Sequence, residues 1–308
     1  MLLYLGGIYN MYDKIIIKNV DKFYGRKQAL KNVNLTIEPG MFGLLGRNGA
    51  GKTTLMEILT SLSKKQSGEI SVLGIPVEQA REIRSITGYL PQDFSLYPSI
   101  TVEEGLDYLG VLSGMSKKLR RERAEMLLQQ VNLVDCRKKK VKELSGGMRR
   151  RLGIAQALLH DPKILIVDEP TAGLDPEERI RFRNLLGEAA QQRTVILSTH
   201  IVEDIEAVCE EAAILNQGRI LWRGTIAELI SSAQGKVYSA KVSRQMLEVI
   251  KKNYIVTGML SQGEMATVRF LSKEEPLIQG AAVVPPNAED GYMYCLSQHG
   301  CKVMGGDL

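Results

Sequence analysis

A glycine-rich segment that follows an apolar run places the strongest constraint on the fold of this chain. Residues 46–53 have the sequence GRNGAGKT, which fits the pattern G-x-x-x-x-G-K-[ST]. Residues 41–45 before it have the composition of a buried strand, and a helical pattern follows over 51–62. In such a strand–loop–helix unit, backbone N–H groups and the helix N-terminus face phosphate oxygens. The segment therefore predicts a phosphate-binding loop within an α/β fold.

Short apolar runs alternate with helical patterns over most of the sequence. Strands are predicted at 15–20, 33–37, 67–73, 87–90, 163–167, 194–198 and 212–216, with helices at 177–190 and 201–208. This alternation is typical of an α/β fold with a largely parallel sheet. Between residues 93 and 161 the periodicity is helical, which predicts a helical subdomain inserted into that fold.

The composition changes after residue 231, where SSAQG (231–235) is typical of a linker. Strands are predicted beyond it at 236–242, 255–260 and 266–271, with a helix at 244–252. We therefore expect a main domain over 13–231 and a small accessory domain over 236–308. Residues 1–12 are expected to form a tail, because they lack the basic region and cleavage site of a signal peptide. Whether Met1 or Met11 is the native start stays open.

Composition excludes several classes of protein. The hydrophobic fraction of 44% can supply a core, yet no apolar run approaches the roughly 18–20 residues that span a bilayer. Any role at a membrane is therefore expected to need a partner. The four cysteines form no C-x-x-C pair, and with only three histidines a structural zinc site is not expected. The basic stretches 117–123 and 137–140 contain no aromatic residues, so we predict solvated helix faces and no nucleic-acid surface, with proximity to anionic lipid as the alternative.

A second motif lies in the helical part of the sequence. Residues 144–148 read LSGGM, and three arginines and a helical pattern follow. Together the two motifs resemble the ATP-binding subunits of ABC transporters, whose second motif is Leu-Ser-Gly-Gly-Gln. Met148 departs from that pattern, and with the basic run it makes the sequence similar to the bacterial drug- and antibiotic-efflux branch. The resemblance covers about 14–229, and residues 288–295 resemble extensions found on efflux ATPases.

The resemblance implies an α/β P-loop NTPase core with an inserted helical subdomain and a small C-terminal α/β domain. It implies ATP and Mg²⁺ as the bound groups, with Thr53, Gln92 and Asp168 near the metal. The residues implied in nucleotide binding are Tyr24, Gly46, Arg47, Asn48, Gly49, Ala50, Gly51, Lys52, Thr53, Thr54, Ser145, Gly146 and Gly147. For Tyr24, which would stack on adenine, a core aromatic at a strand end is the alternative.

Catalytic roles are implied for four residues. Glu169 matches the general base that polarises the attacking water, and Lys52 reaches the β- and γ-phosphates. His200 matches the histidine that touches the γ-phosphate, and Gln92 the glutamine that senses Mg²⁺ and water and contacts the membrane partner. Residues 172–176 (AGLDP) match the loop that couples two active sites across a dimer.

The function implied is ATP hydrolysis that energises a separately encoded multi-span permease at the cytoplasmic face of the membrane. Two copies would pair head to tail, with residues 145–148 closing on the partner's nucleotide. Efflux of drugs, lipids or other amphipathic compounds is the transport expected from the resemblance. One alternative is a soluble ABC-type ATPase acting on ribosomes or DNA; a single nucleotide domain without a long coiled-coil insertion argues against it. The other is a nucleotide-binding interaction subunit with little hydrolysis, against which Lys52, Asp168, Glu169 and His200 argue.

Overall fold

The computed structural model describes residues 13–301, so the predicted tail 1–12 and the last residues of 236–308 lie outside the described part. The strands are β1 (Ile15–Tyr24), β2 (Lys27–Ile37), β3 (Met41–Leu45), β4 (Ser67–Val72), β5 (Ile75–Pro76), β6 (Thr87–Leu90), β7 (Ile164–Asp168), β8 (Thr194–Thr199), β9 (Glu211–Asn216), β10 (Arg219–Thr225), β11 (Val237–Ser243), β12 (Ile255–Gln262), β13 (Met265–Leu271) and β14 (Ala282–Val283). The α-helices are α1 (Lys52–Leu59), α2 (Ala80–Ile86), α3 (Val102–Leu112), α4 (Lys117–Gln130), α5 (Gly146–Leu158), α6 (Pro176–Ala190), α7 (Val202–Val208), α8 (Ile226–Ser232), α9 (Arg244–Asn253) and α10 (Ala288–Gln298).

A six-stranded central sheet organises the main part of the chain. Its order is β10-β9-β3-β8-β7-β6, with every neighbouring pair parallel except the β9–β10 hairpin. β7 and β8 are buried along their whole length, as strands covered on both faces must be. Because the parallel strands share a direction, the loops after β3, β6, β7, β8 and β9 meet at one edge. That edge carries the glycine-rich loop.

Two apolar layers cover the central sheet. On one face, Ile164 and Ile166 pack in a cluster with α1 and with the antiparallel sheet β2-β1-β4-β5. On the other face, Leu165 and Val167 pack with helices of the segment between β6 and β7 and with α6 to α8. The alternation of side chains along a strand therefore divides one run of apolar residues between two cores. The predicted α/β arrangement is confirmed.

The predicted helical segment contains α3, α4 and α5. The basic-face prediction holds for the lysines, which are exposed in both stretches. It holds for the exposed Arg121 as well, but it is wrong for two other arginines: Arg120 pairs with Asp107 on α3 at 2.7 Å, and Arg123 donates to the carbonyls of Leu158 and Leu159 at the end of α5. A guanidinium can reach several acceptors at once, which explains why the arginines hold these helices together.

The C-terminal part forms a third, antiparallel sheet in the order β12-β13-β11-β14. The three strands and the helix predicted here are present within two residues of their expected ends. The linker prediction is wrong, because α8 includes Ser231 and Ser232, and Ala233 is fully buried beside Val237 and Leu271. None of the helices described over 13–301 is long and apolar enough to cross a bilayer.

Candidate nucleotide-binding site

The glycine-rich loop connects β3 to α1 at the edge where the parallel strands end. Gly49 and Gly51 have φ angles of 78° and 110°, a region that side chains rarely adopt. A Cβ on Gly51 would lie 2.7 Å from the carbonyl oxygen of Ala29. The Gly46 N–H donates to the carbonyl of Thr199 at 3.2 Å, which fixes the loop to the end of β8. The pattern of glycines therefore reflects both backbone conformation and close packing.

Lys52, the first residue of α1, points back across the loop. Its ammonium donates to the carbonyl oxygens of Gly46 at 2.6 Å and Arg47 at 3.2 Å. It also pairs with Glu169 Oε1 at 2.9 Å, and both side chains are about 5% exposed. A buried cation with these partners is held at a defined position at the mouth of the loop.

Asp168 ends β7 and is fully buried. Its two carboxylate oxygens accept hydrogen bonds of 2.6 Å, one from the Thr53 hydroxyl and one from the Ser198 hydroxyl. These contacts join the carboxyl ends of β7 and β8 to the first turn of α1. A carboxylate beside a hydroxyl offers only oxygen donors, and such donors suit Mg²⁺ alongside phosphate oxygens and water. Thr53 and Asp168 therefore fit a bound Mg²⁺.

Glu169 follows directly and is 4% exposed. Its φ of 48° is unusual for a residue with a side chain, and its N–H donates to the Ser198 carbonyl at 2.8 Å. While one carboxylate oxygen meets Lys52, the other lies 2.7 Å from His200 Nδ1. This backbone conformation places the Glu169 carboxylate between Lys52 and His200.

Of these side chains, Lys52, Thr53 and Glu169 line an open cavity of about 970 Å³, whereas the predicted site residues Asp168 and His200 are not among its lining residues. Its lining residues are Tyr24, Arg26, Lys27, Gln28, Ala29, Lys31, Asn48, Gly49, Gly51, Lys52, Thr53, Thr54, Gln92, Glu169 and Gln217. Four of them are lysine or arginine and only Glu169 is acidic, so the cavity attracts an anion. Tyr24 is 47% exposed, which makes the alternative of a core aromatic wrong.

Some predicted binding residues of the loop do not line the cavity and contribute to the structure of the loop through their backbone atoms. Among the residues lining the cavity there is no Gly46, Arg47 or Ala50. Gly46 has no room for a side chain, because a Cβ would overlap the carbonyl oxygen of Leu215. Ala50 is buried and accepts from the Gly218 N–H at 2.8 Å.

The LSGGM segment lies apart from this cavity, whose lining includes none of Ser145, Gly146 and Gly147. Ser145 precedes α5, and its hydroxyl accepts from the Met148 N–H at 3.2 Å. A Cβ on Gly147 would lie 2.8 Å from Glu178 Oε2, which pairs with Arg151. Ser145 and Gly146 are therefore exposed at the start of α5, while Gly147 is buried against α6.

The structure adds residues that the sequence did not single out. The Ser198 hydroxyl donates to Asp168, a contact that was not predicted even though Ser198 lies two residues before the predicted His200. Tyr89, on β6, has its pKa raised by burial and by the nearby charges of Asp168 and Glu57. Lys27 and Lys31 line the cavity from β2, Arg26 from the β1–β2 turn and Gln217 from the β9–β10 turn, and the sequences there carry no distinctive motif.

Comparisons with known proteins agree with this geometry. The family model described as "ABC transporter" matches residues 30–172. The chain is 38% identical over 231 residues to the uncharacterized ABC transporter ATP-binding protein YxlF of Bacillus subtilis, covering 75% of this chain and 77% of the relative. This chain belongs to the ABC transporter ATP-binding proteins.

Other ABC ATP-binding proteins are similarly close. Nod factor export ATP-binding protein I of Burkholderia lata is 40% identical, with 72% of this chain and 74% of that one covered. Linearmycin resistance ATP-binding protein LnrL of Bacillus subtilis is 35% identical, with 71% of each covered.

Solved ABC cassettes share the fold. The dimeric cassette MJ0796 superposes with a TM-score of 0.64 at 30% identity over 68% of this chain and 98% of that one. The same cassette with ADP and Pi, in a post-hydrolysis state, gives a TM-score of 0.63 at 30% identity, with the same coverage. CbiO1 from Clostridium perfringens, part of the transporter complex CbiONQ, gives 0.65 at 27% identity over 70% of this chain and 90% of that one. The chain is an ABC-type, nucleotide-binding ATPase with a P-loop NTPase fold.

Proposed function

We propose that this chain is the ATP-hydrolysing subunit of an ABC transporter and energises a separately encoded permease for efflux. The observation that carries the hydrolytic part is the buried Lys52–Glu169 ion pair, with the exposed His200 ring 2.7 Å from the Glu169 carboxylate, beside the paired Thr53 and Asp168. A positioned cation, a carboxylate and an imidazole at one cavity edge are the groups that phosphoryl transfer to water uses.

In the proposed reaction, the N–H groups of the 46–54 loop bind the phosphates, with Lys52 neutralising charge at the β- and γ-phosphates. Tyr24 presents its exposed ring at the cavity wall for the adenine. Glu169 accepts a proton from the attacking water as the bond between the γ-phosphorus and the bridging oxygen breaks and ADP leaves. His200, 2.7 Å from the Glu169 carboxylate, orients that carboxylate and contacts the γ-phosphate.

Mg²⁺ is proposed as the metal. Thr53 and Asp168 would hold it, with Gln92 on the cavity wall next to them. A bound Mg²⁺ offsets negative charge on the phosphate oxygens. Thr53→Ala and Asp168→Asn should therefore weaken the dependence of ATP affinity on Mg²⁺ concentration, measured by equilibrium nucleotide binding.

A second copy is proposed to complete each site. The Ser145–Met148 segment is a helix start with exposed residues away from its own cavity, so a head-to-tail partner would present it to the other copy's phosphates. The dimeric MJ0796 cassette supports this arrangement.

The efflux assignment is supported by the similarity to the Nod factor export and linearmycin resistance ATP-binding proteins. Drugs, lipids or other amphipathic compounds are the proposed cargo. The chain would lie at the cytoplasmic face of the membrane, attached through its permease. Purification from native membranes tests this proposal: a co-purified multi-span protein supports it, and recovery with ribosomes or DNA overturns it.

Glu169→Gln tests the catalytic assignment. Loss of the base should reduce the ATP turnover rate by about 10²- to 10⁴-fold while ATP binding persists. With ATP, this variant should also accumulate as a dimer in size-exclusion chromatography. Glu188→Gln, an exposed change on α6, is the matched control and should hydrolyse ATP at the wild-type rate. Normal turnover by the Glu169 variant would remove this residue from the base role.

A further inference from the structure

Tyr24, the last residue of β1, has two side-chain contacts at the wall of the cavity. Its side chain is 47% exposed and lines the cavity. The Lys22 ammonium lies over the ring, 4.8 Å from the ring centre. The phenol hydroxyl donates a long hydrogen bond, 3.4 Å, to Glu57 Oε2 on α1. A ring that has a cation over one face keeps the other face for a second partner.

Lys22 is buried, which is uncommon for a lysine. It is 8% exposed, and its ammonium donates to the carbonyl oxygen of Lys64 at 2.6 Å. The carbonyl and the face of the Tyr24 ring thus replace part of the water that the ammonium loses. Because little water screens the contact, the attraction between cation and ring is stronger than on an open surface. The ammonium is therefore held at a defined position over the ring.

The backbone between these two side chains is fixed by Gln66. β4 pairs with β1 only as far as Asp21, and the side-chain amide of Gln66 continues the contacts beyond that point. Its Nε2 donates to the Phe23 carbonyl and its Oε1 accepts from the Phe23 N–H, both at 3.0 Å. The Gln66 N–H donates to the Asp21 carbonyl, also at 3.0 Å. The segment between α1 and β4 therefore holds the end of β1 in place.

The position of Lys22 separates its role from that of the phosphate-binding lysine. Lys22 is not among the residues that line the cavity, whereas Tyr24 and Lys52 are. Helix α1 begins at Lys52 and carries Glu57, so the helix that starts at the phosphate loop also contacts the Tyr24 hydroxyl. Lys22 can therefore influence a bound nucleotide through the Tyr24 ring, without touching the phosphates.

We propose that Lys22 is a positioning residue for the base of ATP: its ammonium covers one face of the Tyr24 ring and presents the opposite face to the cavity, where the base stacks. A ring ordered in advance loses little further freedom on binding, so more of the stacking energy appears as affinity. This inference rests on the proposed nucleotide site and adds to it a residue outside the cavity.

The test measures equilibrium binding to the full-length chain with Mg²⁺ and two probes. One is a non-hydrolysable ATP analogue, and the other is inorganic tripolyphosphate, which has no base. Lys22→Met keeps the length of the side chain and removes its charge. It should weaken binding of the ATP analogue about 3- to 10-fold, the range expected when a cation–π contact and the ordering of one side chain are lost. Binding of tripolyphosphate should not change, because the phosphate loop keeps its contacts.

Two further variants distinguish positioning of the ring from a general structural role. Lys22→Arg retains a cation that can lie over the ring, so it should keep most of the affinity for the ATP analogue. In a Tyr24→Leu background, Lys22→Met should have no effect on either probe, because the ring is absent. Thermal unfolding is measured for each variant, and Lys22→Gln, which is also uncharged, carries the same prediction if Lys22→Met does not fold.

Lys18→Met is the matched control, since Lys18 is an exposed lysine on the same strand, and binding of both probes should be unchanged. Unchanged affinity of Lys22→Met for the ATP analogue overturns the inference. An equal loss for the two probes, or an equal loss with and without the Tyr24 ring, also overturns it. Lys52→Ala separates the two proposals: loss of both probes in this variant upholds the site whatever Lys22 does, and wild-type binding of both overturns the site and the inference together.

Discussion

The buried carboxylate of Asp204 accepts hydrogen bonds from residues of several different elements. Asp204, on α7, is fully buried and lies 2.7 Å from Arg179 Nε and 2.6 Å from Arg183 Nη2. The Thr171 hydroxyl, two residues beyond Glu169, also donates to it. Asp204 therefore links α6 and the segment after β7 to the helix that follows His200.

Asp204→Asn should lower the free energy of unfolding by about 2–4 kcal/mol, because Arg183 loses its charged partner and Arg179 keeps only the exposed Glu203. Denaturant titration measures this change. Glu206→Gln is the control on the same helix: Glu206 is exposed, and its loss should change stability by less than about 0.5 kcal/mol. Equal stability of the two variants would contradict a structural role for the Asp204 cluster.

At the scale of elements, contacts between backbones determine how strands and helices approach. Gly88 on β6 faces α5, where an added Cβ would overlap the carbonyl oxygen of Ala157. The side chains of Leu90 and Phe94 pack directly on Gly153 of α5, where an added Cβ would lie 2.5 Å from Leu90 Cδ1. The helical segment therefore packs against the central sheet through positions without side chains.

Gly88→Ala should destabilise the protein by about 1–3 kcal/mol, since β6 and α5 must move apart. Gly187→Ala provides the contrast, because a Cβ on Gly187 in α6 meets nothing within 4 Å. That change should stabilise the helix by about 0.5–1 kcal/mol. Thermal unfolding of both variants checks the pair, and destabilisation by Gly187→Ala or tolerance of Gly88→Ala would contradict the packing argument.

The elements also show what sequence patterns can predict. Local motifs predicted the glycine-rich loop, the strand ending in Asp168 and the order of the central elements, because each depends on neighbouring residues. The pairing of Arg120 and Arg123 with other helices could not be predicted, since a basic helix face looks the same whether it meets water or an acidic neighbour. The linker prediction at 231–235 failed because small polar residues also end helices, and Ala233 is covered by residues distant in sequence.

For the whole molecule, the C-terminal part is integrated with the main core rather than attached by a flexible connection. Tyr292 and Leu296 share the cluster that covers the central sheet, while Asp290 holds Arg269 and Thr257 in the third sheet. The hydrogen bond from Asn216 Nδ2 to Cys301 Sγ joins residues far apart in the chain, so no local pattern could predict it.

This integration predicts how the parts unfold. Amides of β11 and β13 should exchange with deuterium almost as slowly as those of β3 and β8, because α10 couples the sheets. Asp290→Asn leaves Arg269 without its charged partner, so the free energy of opening of β11 and β13 should fall by about 2–4 kcal/mol. Protection in β3 and β8 should persist, because those strands are buried on both faces.

Glu289→Gln is the neighbouring control for this exchange experiment. Although Glu289 is exposed, its carboxylate is partly desolvated by its neighbours, and this desolvation together with the charge of Asp290 raises its pKa, so neutralising it removes an unfavourable interaction. Exchange of β11 and β13 should therefore be no faster in this variant than in the wild type. If Asp290→Asn leaves the third sheet protected, or exposes β3 and β8 equally, Asp290 on α10 is not what couples the third sheet to the central sheet. The expected pattern instead requires that the third sheet depends on Asp290 for its attachment and the central sheet does not.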